Sequence, residues 1–301
     1  MNSKAQFPLE QSEDGAFVRQ TDRFRSWVSA DGSSGFPAAA GRYQLFVSLA
    51  CPWAHRTIIV RKLKRLESAI PMTVVDPIRD ERGWRYGTHF LSELYTESDP
   101  GYSGRVTVPV LRDLHTNRIV SNSDDDIMRM LETEFDAFGD PQPDLYPREL
   151  RTEIDALNEI IYQTLNDGVY QAGFATSQPV YEAAAYRVFA TLDQLEERLA
   201  TRRYLFGAHP VETDWRLFVT LIRFDAVYVG HFKCNLRRIV DYPNLYGYLR
   251  DLYQIPGIAQ TVDFDHIKRH YYYTHDDINP TRIVPIGPLQ YLELAHGREN
   301  L

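Results

Sequence analysis

Cys51 is the residue on which chemistry can be built. It is followed by Pro52 and by the run WAHRTIIVRKLKRL, whose apolar residues Trp53, Ile58, Ile59, Leu63 and Leu66 recur near helical spacing. Residues 42–48 (RYQLFVS), just ahead of it, read as a buried strand, and Pro52 suits the first helical position, where no internal N–H bond is needed. A thiol is therefore expected at a helix start. There, unpaired N–H groups and the positive end of the dipole favour the thiolate, the nucleophilic form. The partner position of a C-x-x-C pair is Ala54, so Cys51 cannot resolve its own mixed disulfide and a diffusible thiol must do it. The competing reading is an inert buried cysteine. His55 falls on the same helical face and is expected to be packed or solvated rather than paired with the thiol. Cys234, in HFKCN, is expected to be structural.

Composition narrows the setting. The 301 residues suggest two domains. An apolar fraction of 44% with 25% charged residues is ordinary for a globular chain and argues against wholesale disorder. Lys and Arg number 33 against 41 Asp and Glu, a net charge of −8, which disfavours general binding to nucleic acid or an anionic membrane. Two cysteines far apart exclude a disulfide-stapled scaffold. The N-terminus shows no basic region followed by an apolar core, and no stretch approaches the roughly 18 apolar residues of a spanning helix. A reducing cytoplasm is the expected setting. Aromatic residues reach 13%, with 19 tyrosines that include Tyr271, Tyr272 and Tyr273 in succession. This implies either aromatic helix packing or an aromatic pocket.

The elements that must position Cys51 follow from pattern. Residues 1–40 are irregular, and Phe17, Phe24 and Trp27 are expected to dock them as an arm onto the body. Residues 71–76 (PMTVVD) read as a second strand, so the order is strand, Cys-Pro turn, helix, strand. Residues 77–103 read as a long irregular stretch with an exposed-looking Gly83–Trp84 pair. Residues 106–111 (VTVPVL) are strand-like, but Pro109 limits them to an edge or a strand start, and a cis bond there would expose the backbone of Val108. After a short extended piece at 119–120, Ser121, Asn122 and Ser123 offer caps for a helix over 124–135 with three leading aspartates. The Pro- and Gly-rich stretch 139–147 marks the domain boundary. Helices are expected beyond it at 149–165, 179–200, 212–229, 244–254 and 262–272, then a proline-punctuated tail over 280–288. The expected division is an arm over 1–40, an α/β domain over 41–138 and a helical domain over 147–301.

The motifs CPWAHR at 51–56, GW at 83–84, VPVL at 108–111, GVYQAGFA at 168–175, RFDAVYVGHFKCN at 223–235 and HIKRHYY at 266–272 resemble those of the glutathionyl-hydroquinone reductases, the Xi-class glutathione transferases. The resemblance runs over nearly the whole chain. It implies an α/β thioredoxin-like N-terminal domain followed by an all-α glutathione-transferase C-terminal domain. It also implies attack of Cys51 on the sulfur of a glutathionyl-hydroquinone, with release of hydroquinone and resolution by a second glutathione. Tyr170 and Tyr272 match family tyrosines that line the hydroquinone pocket, and a phenol can polarise or protonate the leaving ring. Trp84 would pack against glutathione. The backbone of Val108, ahead of Pro109, would pair with its cysteinyl part. A homodimer formed largely through the helical domain is implied, with no nucleic acid or membrane partner and no metal.

One departure bears on the thiol. Where the family has Ser-Asn-Glu-Ser, this chain reads Ser121–Asn122–Ser123–Asp124. The γ-glutamyl end loses an acceptor at Ser123 and meets a carboxylate at Asp124, which should weaken glutathione binding by like-charge repulsion and leaves room for another small thiol such as mycothiol. Alternatively, Asp124 is simply a favourable first-turn residue. A second departure is Val211 in place of a Ser/Thr cap before Asp214, which removes half of a capping box. Competing functions are a broader thiol oxidoreductase acting on mixed disulfides or dehydroascorbate-like acceptors, and a non-enzymatic ligand-binding protein of transferase fold. A zinc site from His231, Cys234, His266 and His270 is disfavoured, because nothing fixes their spacing as a finger.

Overall fold

The computed structural model describes residues 7–301, so the first six residues of the expected arm lie outside it. The chain forms two compact units. One holds Gln20–Asp144 with Gln260–His270; the other holds the described residues up to Arg19 with Leu145–Ala259 and Tyr271–Leu301.

The first unit is built on β1 (Tyr43–Val47), α1 (Pro52–Leu63) and β2 (Met72–Val74). β1 and β2 are parallel with Leu45 opposite Met72, so α1 is a crossover helix. A small hairpin, β3 (Arg85–Tyr86) with β4 (His89–Phe90), leads into α2 (Leu91–Ser98). β5 (Val110–Asp113) and β6 (Arg118–Ser121) are antiparallel, and α3 (Asp124–Thr133) follows. The sheet order is β2-β1-β5-β6. Tyr43, Leu45, Phe46 and Val47 are all buried, as expected of a central strand covered on both faces. Helix α1 is buried along its whole first part, Pro52 to Val60. The edge strand β6 is covered by the arm: the Ser26 N–H donates to Val120 O, and the Asn122 N–H to Phe24 O. That pairing satisfies edge groups that would otherwise be open.

Two details differ from the sequence-based expectation. The stretch 77–103 is not irregular throughout, since it holds the hairpin and α2. Helix α2 lacks a Ser/Thr/Asp/Asn cap. Its start is held by Glu93, whose Oε1 accepts the Phe90 N–H at 3.2 Å, while Leu91, Leu94 and Tyr95 supply a buried face. The strand expected over 106–111 begins at Val110 instead, because the pairing starts only after Pro109, which has no N–H to give.

The second unit contains α4 (Arg151–Ile161), α5 (Gly168–Gly173), α6 (Gln178–Leu199), α7 (Glu212–Arg223) and α8 (Pro243–Gln254). Helix α9 (Phe264–Thr274) gives its last residues, from Tyr271 on, to this unit and the earlier ones to the sheet unit. Every residue of α7 is buried. Its start depends on Asp214, which accepts the N–H groups of Leu205 and Val211 at 2.9 and 2.8 Å and the Tyr248 hydroxyl at 2.7 Å. Val211 has no side-chain acceptor, so only the Asp214 half of the capping box exists. The continuous helices expected over 149–165 and 212–229 each end in a π-helical turn, at Tyr162–Asn166 and Phe224–Tyr228. The widened turn shifts the register of the residues that follow, a feature often found beside functional groups.

Candidate active site

Cys51 occupies the N-cap of α1, with Pro52 in the first helical position. Its N–H donates to Ser48 O at 3.1 Å, and its carbonyl accepts the His55 N–H at 3.0 Å. The thiol is partly exposed and does not cap the helix. Sγ lies 3.5 Å from the carbonyl oxygen of Val108. Val108–Pro109 is a cis peptide bond, so the expected nucleophile and the expected backbone recognition site lie together. His55 is fully buried, and its Nε2 is 2.7 Å from Thr261 Oγ1, which makes it a packed histidine. The loop before Cys51 is fixed by Ser48, whose Oγ accepts the Ala50 N–H at 3.2 Å and lies 3.2 Å from His266 Nε2.

Ser123 caps α3 by accepting the Asp126 N–H, and its own N–H donates to Ser121 Oγ. Asp124 begins the helix and binds Arg56 through Oδ2 at 2.7 Å. The Arg56 side chain is 1% exposed and lies over the Trp53 ring at 4.7 Å. A cation buried in α1 needs a partner, and Asp124 is that partner. The carboxylate that like-charge repulsion would set against a thiol's own carboxylate is thus already neutralised by Arg56.

Trp84 is not the exposed residue that its loop suggested. It is 5% exposed and stacked on His270, with ring centroids 4.8 Å apart and planes 25° apart. The two rings shield each other, which sequence spacing could not reveal, since His270 is far away in the chain. Beside them, a cleft of about 400 Å³ is lined by Val75, Asp76, Pro77, Arg85, Tyr86 and His266.

In the helical unit the tyrosines form a hydrogen-bonded group. Tyr170 on α5 places its hydroxyl 2.5 Å from that of Tyr271, which is 3.3 Å from that of Tyr228. Tyr272 does not join them. Its hydroxyl donates to the Ala226 carbonyl at 3.2 Å, in the π turn that ends α7. Phe232 stacks on Tyr228 at 5.5 Å with planes 10° apart, and Gly173 allows that ring close to α5: a Cβ there would sit 2.2 Å from it. Burial pushes the hydroxyls of Tyr271 and Tyr272 above the ordinary phenol value.

The residues weighed as zinc ligands have other partners. His231 Nε2 lies 3.1 Å from His275 Nδ1, and burial moves His231 down to about 3. His270 Nδ1 is 2.8 Å from Pro77 O. Cys234 is fully buried, and burial pushes its thiol up to about 12. Among the described residues, no group of three or more His, Cys, Asp and Glu side chains is arranged to hold a metal.

A half-exposed thiol at a βα junction, opposite a cis-proline loop, followed by a helical unit, is the arrangement of a glutathione transferase. The glutathione S-transferase N-terminal domain family matches residues 50–134, and the C-terminal domain family matches residues 178–251. Full-length relatives refine this. The glutathionyl-hydroquinone reductase YqjG of Escherichia coli is 52% identical over 307 aligned residues, covering 96% of this chain and 94% of that protein. Its glutathione-bound structure superposes with a TM-score of 0.89 at 53% identity, covering 92% of this chain and 96% of that one. The Xi-class transferase of Natrialba magadii gives a TM-score of 0.90 at 47% identity, covering 92% and 89%. The chain belongs to the Xi-class glutathione transferases, the family of the glutathionyl-hydroquinone reductases.

Sequence reasoning missed four contributors: Arg56, His266, His270 and Tyr271. Tyr271 was visible as one of three consecutive tyrosines. Neighbours on a helix diverge by about 100°, so only one of them can face Tyr170, and the sequence does not say which.

Proposed function

We propose that the protein is a glutathionyl-hydroquinone reductase. The observation that carries this is Cys51 itself, a partly exposed thiol at a helix start with alanine in the resolving position, in a chain closely similar to enzymes of that name. The Cys51 thiolate attacks the glutathionyl sulfur of the conjugate. The carbon–sulfur bond breaks, its electron pair stays on the aromatic carbon, and a proton delivered to that carbon completes the hydroquinone. The enzyme is left as a cysteine–glutathione mixed disulfide. A second glutathione thiolate attacks this disulfide at the glutathionyl sulfur, releasing glutathione disulfide and regenerating Cys51. The net change is one conjugate and one glutathione converted to one hydroquinone and one disulfide, and the hydrogen gained by the ring comes from the glutathione consumed.

In this reading Trp84, the Val108 backbone ahead of Pro109, Ser123 and Asp124 bind the thiol. Tyr170 and Tyr272 act on the aromatic ring, and the geometry around Tyr170 adds Tyr271. Glutathione is favoured over a different small thiol because Arg56 offsets the charge of Asp124. The glutathione-bound structure of the similar E. coli protein supports the same choice. The protein acts as a homodimer in a reducing cytoplasm, where a free thiol survives. The test is turnover of a glutathionyl-hydroquinone with glutathione, following hydroquinone and glutathione disulfide together. The reading requires equal amounts of both and no turnover in Cys51→Ala.

A further inference from the structure

His270 lies far from Trp84 in sequence, yet it grips both ends of the loop that carries it. The loop leaves the sheet after β2 and returns at β3. At its first end, Pro77 O lies 2.8 Å from His270 Nδ1. A carbonyl only accepts, so Nδ1 must carry the proton, which fixes the orientation of the ring. At its second end, Trp84 lies against the flat face of the same imidazole at 4.8 Å and 25°, an offset stacked geometry. His270 is itself buried and is held by α9. Backbone bonds hold the main chain of the loop: Asp80 and Gly83 exchange N–H···O contacts at 3.3 and 3.0 Å, the Asp76 N–H donates to Arg85 O at 2.7 Å, and the Leu91 N–H donates to Trp84 O at 2.8 Å, but none of them orients the indole ring. Trp84 therefore has a plate behind it that comes from a distant part of the chain.

We propose that His270 is a positioning residue for thiol binding, acting through the stacked Trp84. This rests on the reading of Trp84 as the residue that packs against glutathione. A tryptophan ring with no plate behind it must be ordered each time ligand binds, and pre-ordering removes that cost from the binding step. The chemistry at Cys51 does not use the stack, so the effect falls on affinity and not on the maximal rate.

The experiment compares His270→Leu, which fills the space without a flat face, with His270→Phe, which restores the face without the hydrogen bond. Loss of the stack should raise KM for glutathione roughly fivefold in His270→Leu. The rate at saturating glutathione should change little, and His270→Phe should return KM close to the wild-type value. Trp84 emission, isolated by subtracting the spectrum of a matched Trp84→Phe protein, should move to the red in His270→Leu and recover in His270→Phe. An unchanged KM in His270→Leu, or an equal rise in both variants, overturns the proposal. Trp84→Ala separates the premise from the inference. If it leaves KM unchanged, the reading of Trp84 fails and the proposal with it. If it raises KM while His270→Leu does not, only the role of His270 fails.

Discussion

The hydroxyl of Tyr170 lies 2.5 Å from that of Tyr271, while the next residue, Tyr272, turns its hydroxyl to the Ala226 carbonyl. Adjacent residues on α9 thus divide into one partner of Tyr170 and one partner of a helix backbone. Tyr271→Phe should lower the maximal rate of hydroquinone release by roughly a hundredfold, the low end of what a positioned proton donor contributes. Tyr272→Phe should have the smaller effect. Steady-state kinetics of both variants check this, and the reverse ranking would restore Tyr272 as the principal tyrosine.

Asp124 has two roles that one variant can test, as the partner of Arg56 and as part of the proposed thiol site. Asp124→Ser removes the nearer of two carboxylates from a buried guanidinium, the other being Asp125 at 3.6 Å. The stability loss should be about 2 kcal/mol, below the usual cost of breaking a fully buried pair because the Asp124 side chain is 14% exposed. In the proposed site Asp124 helps bind the thiol and its charge is offset by Arg56, so the same change should also raise KM for glutathione. Chemical denaturation and steady-state kinetics on one preparation test both, and a variant unchanged in both would show that Asp124 is only a first-turn residue.

The two cysteines should separate cleanly toward alkylation. Cys51 is partly exposed, whereas Cys234 is fully buried with its thiol pushed up to about 12. Iodoacetamide at neutral pH should modify the folded protein at Cys51 alone and the unfolded chain at both positions. Peptide mapping reads the result, and labelling of Cys234 in the folded state would contradict the packing described.

Asp214 gives a pH dependence of defined sign. Burial pushes its carboxyl from 3.8 up to about 6, against the opposing pull of its hydrogen bonds. The folded protein therefore keeps a proton that the unfolded chain has already lost. This contribution to stability is full below about pH 4, falls as the pH rises to about 6 and is constant above that. Asp214→Asn cannot ionise, so the stability of wild type relative to this variant should decline by about 2 kcal/mol between pH 4 and pH 7. Parallel pH profiles in urea unfolding would show that Asp214 does not titrate in this range.

What the sequence made legible was local. The strand, Cys-Pro turn and crossover helix were readable because proline at a helix start, a buried apolar run and a cap each have a short-range signature. Ser123 was legible as a cap for the same reason. The loop helix α2 was not, because its start is held by Glu93 rather than by Ser, Thr, Asp or Asn. The π turns were not, because the apolar pattern of an α-helix continues through them. Trp84 was misjudged as exposed, and Arg56 was not linked to Asp124. In both cases the deciding partner, His270 or Asp124, lies far along the chain, and pairing at that range is set by packing rather than by spacing.

The central claim is that Cys51 takes the glutathionyl group directly from the aromatic conjugate. Mixing the enzyme with one equivalent of glutathionyl-hydroquinone, with no free glutathione, and quenching in acid isolates that step. Intact-mass measurement with peptide mapping should show one glutathionyl group on Cys51 and an equal amount of free hydroquinone, with neither in Cys51→Ser. Hydroquinone released without the adduct, or an adduct on Cys234, would contradict the account.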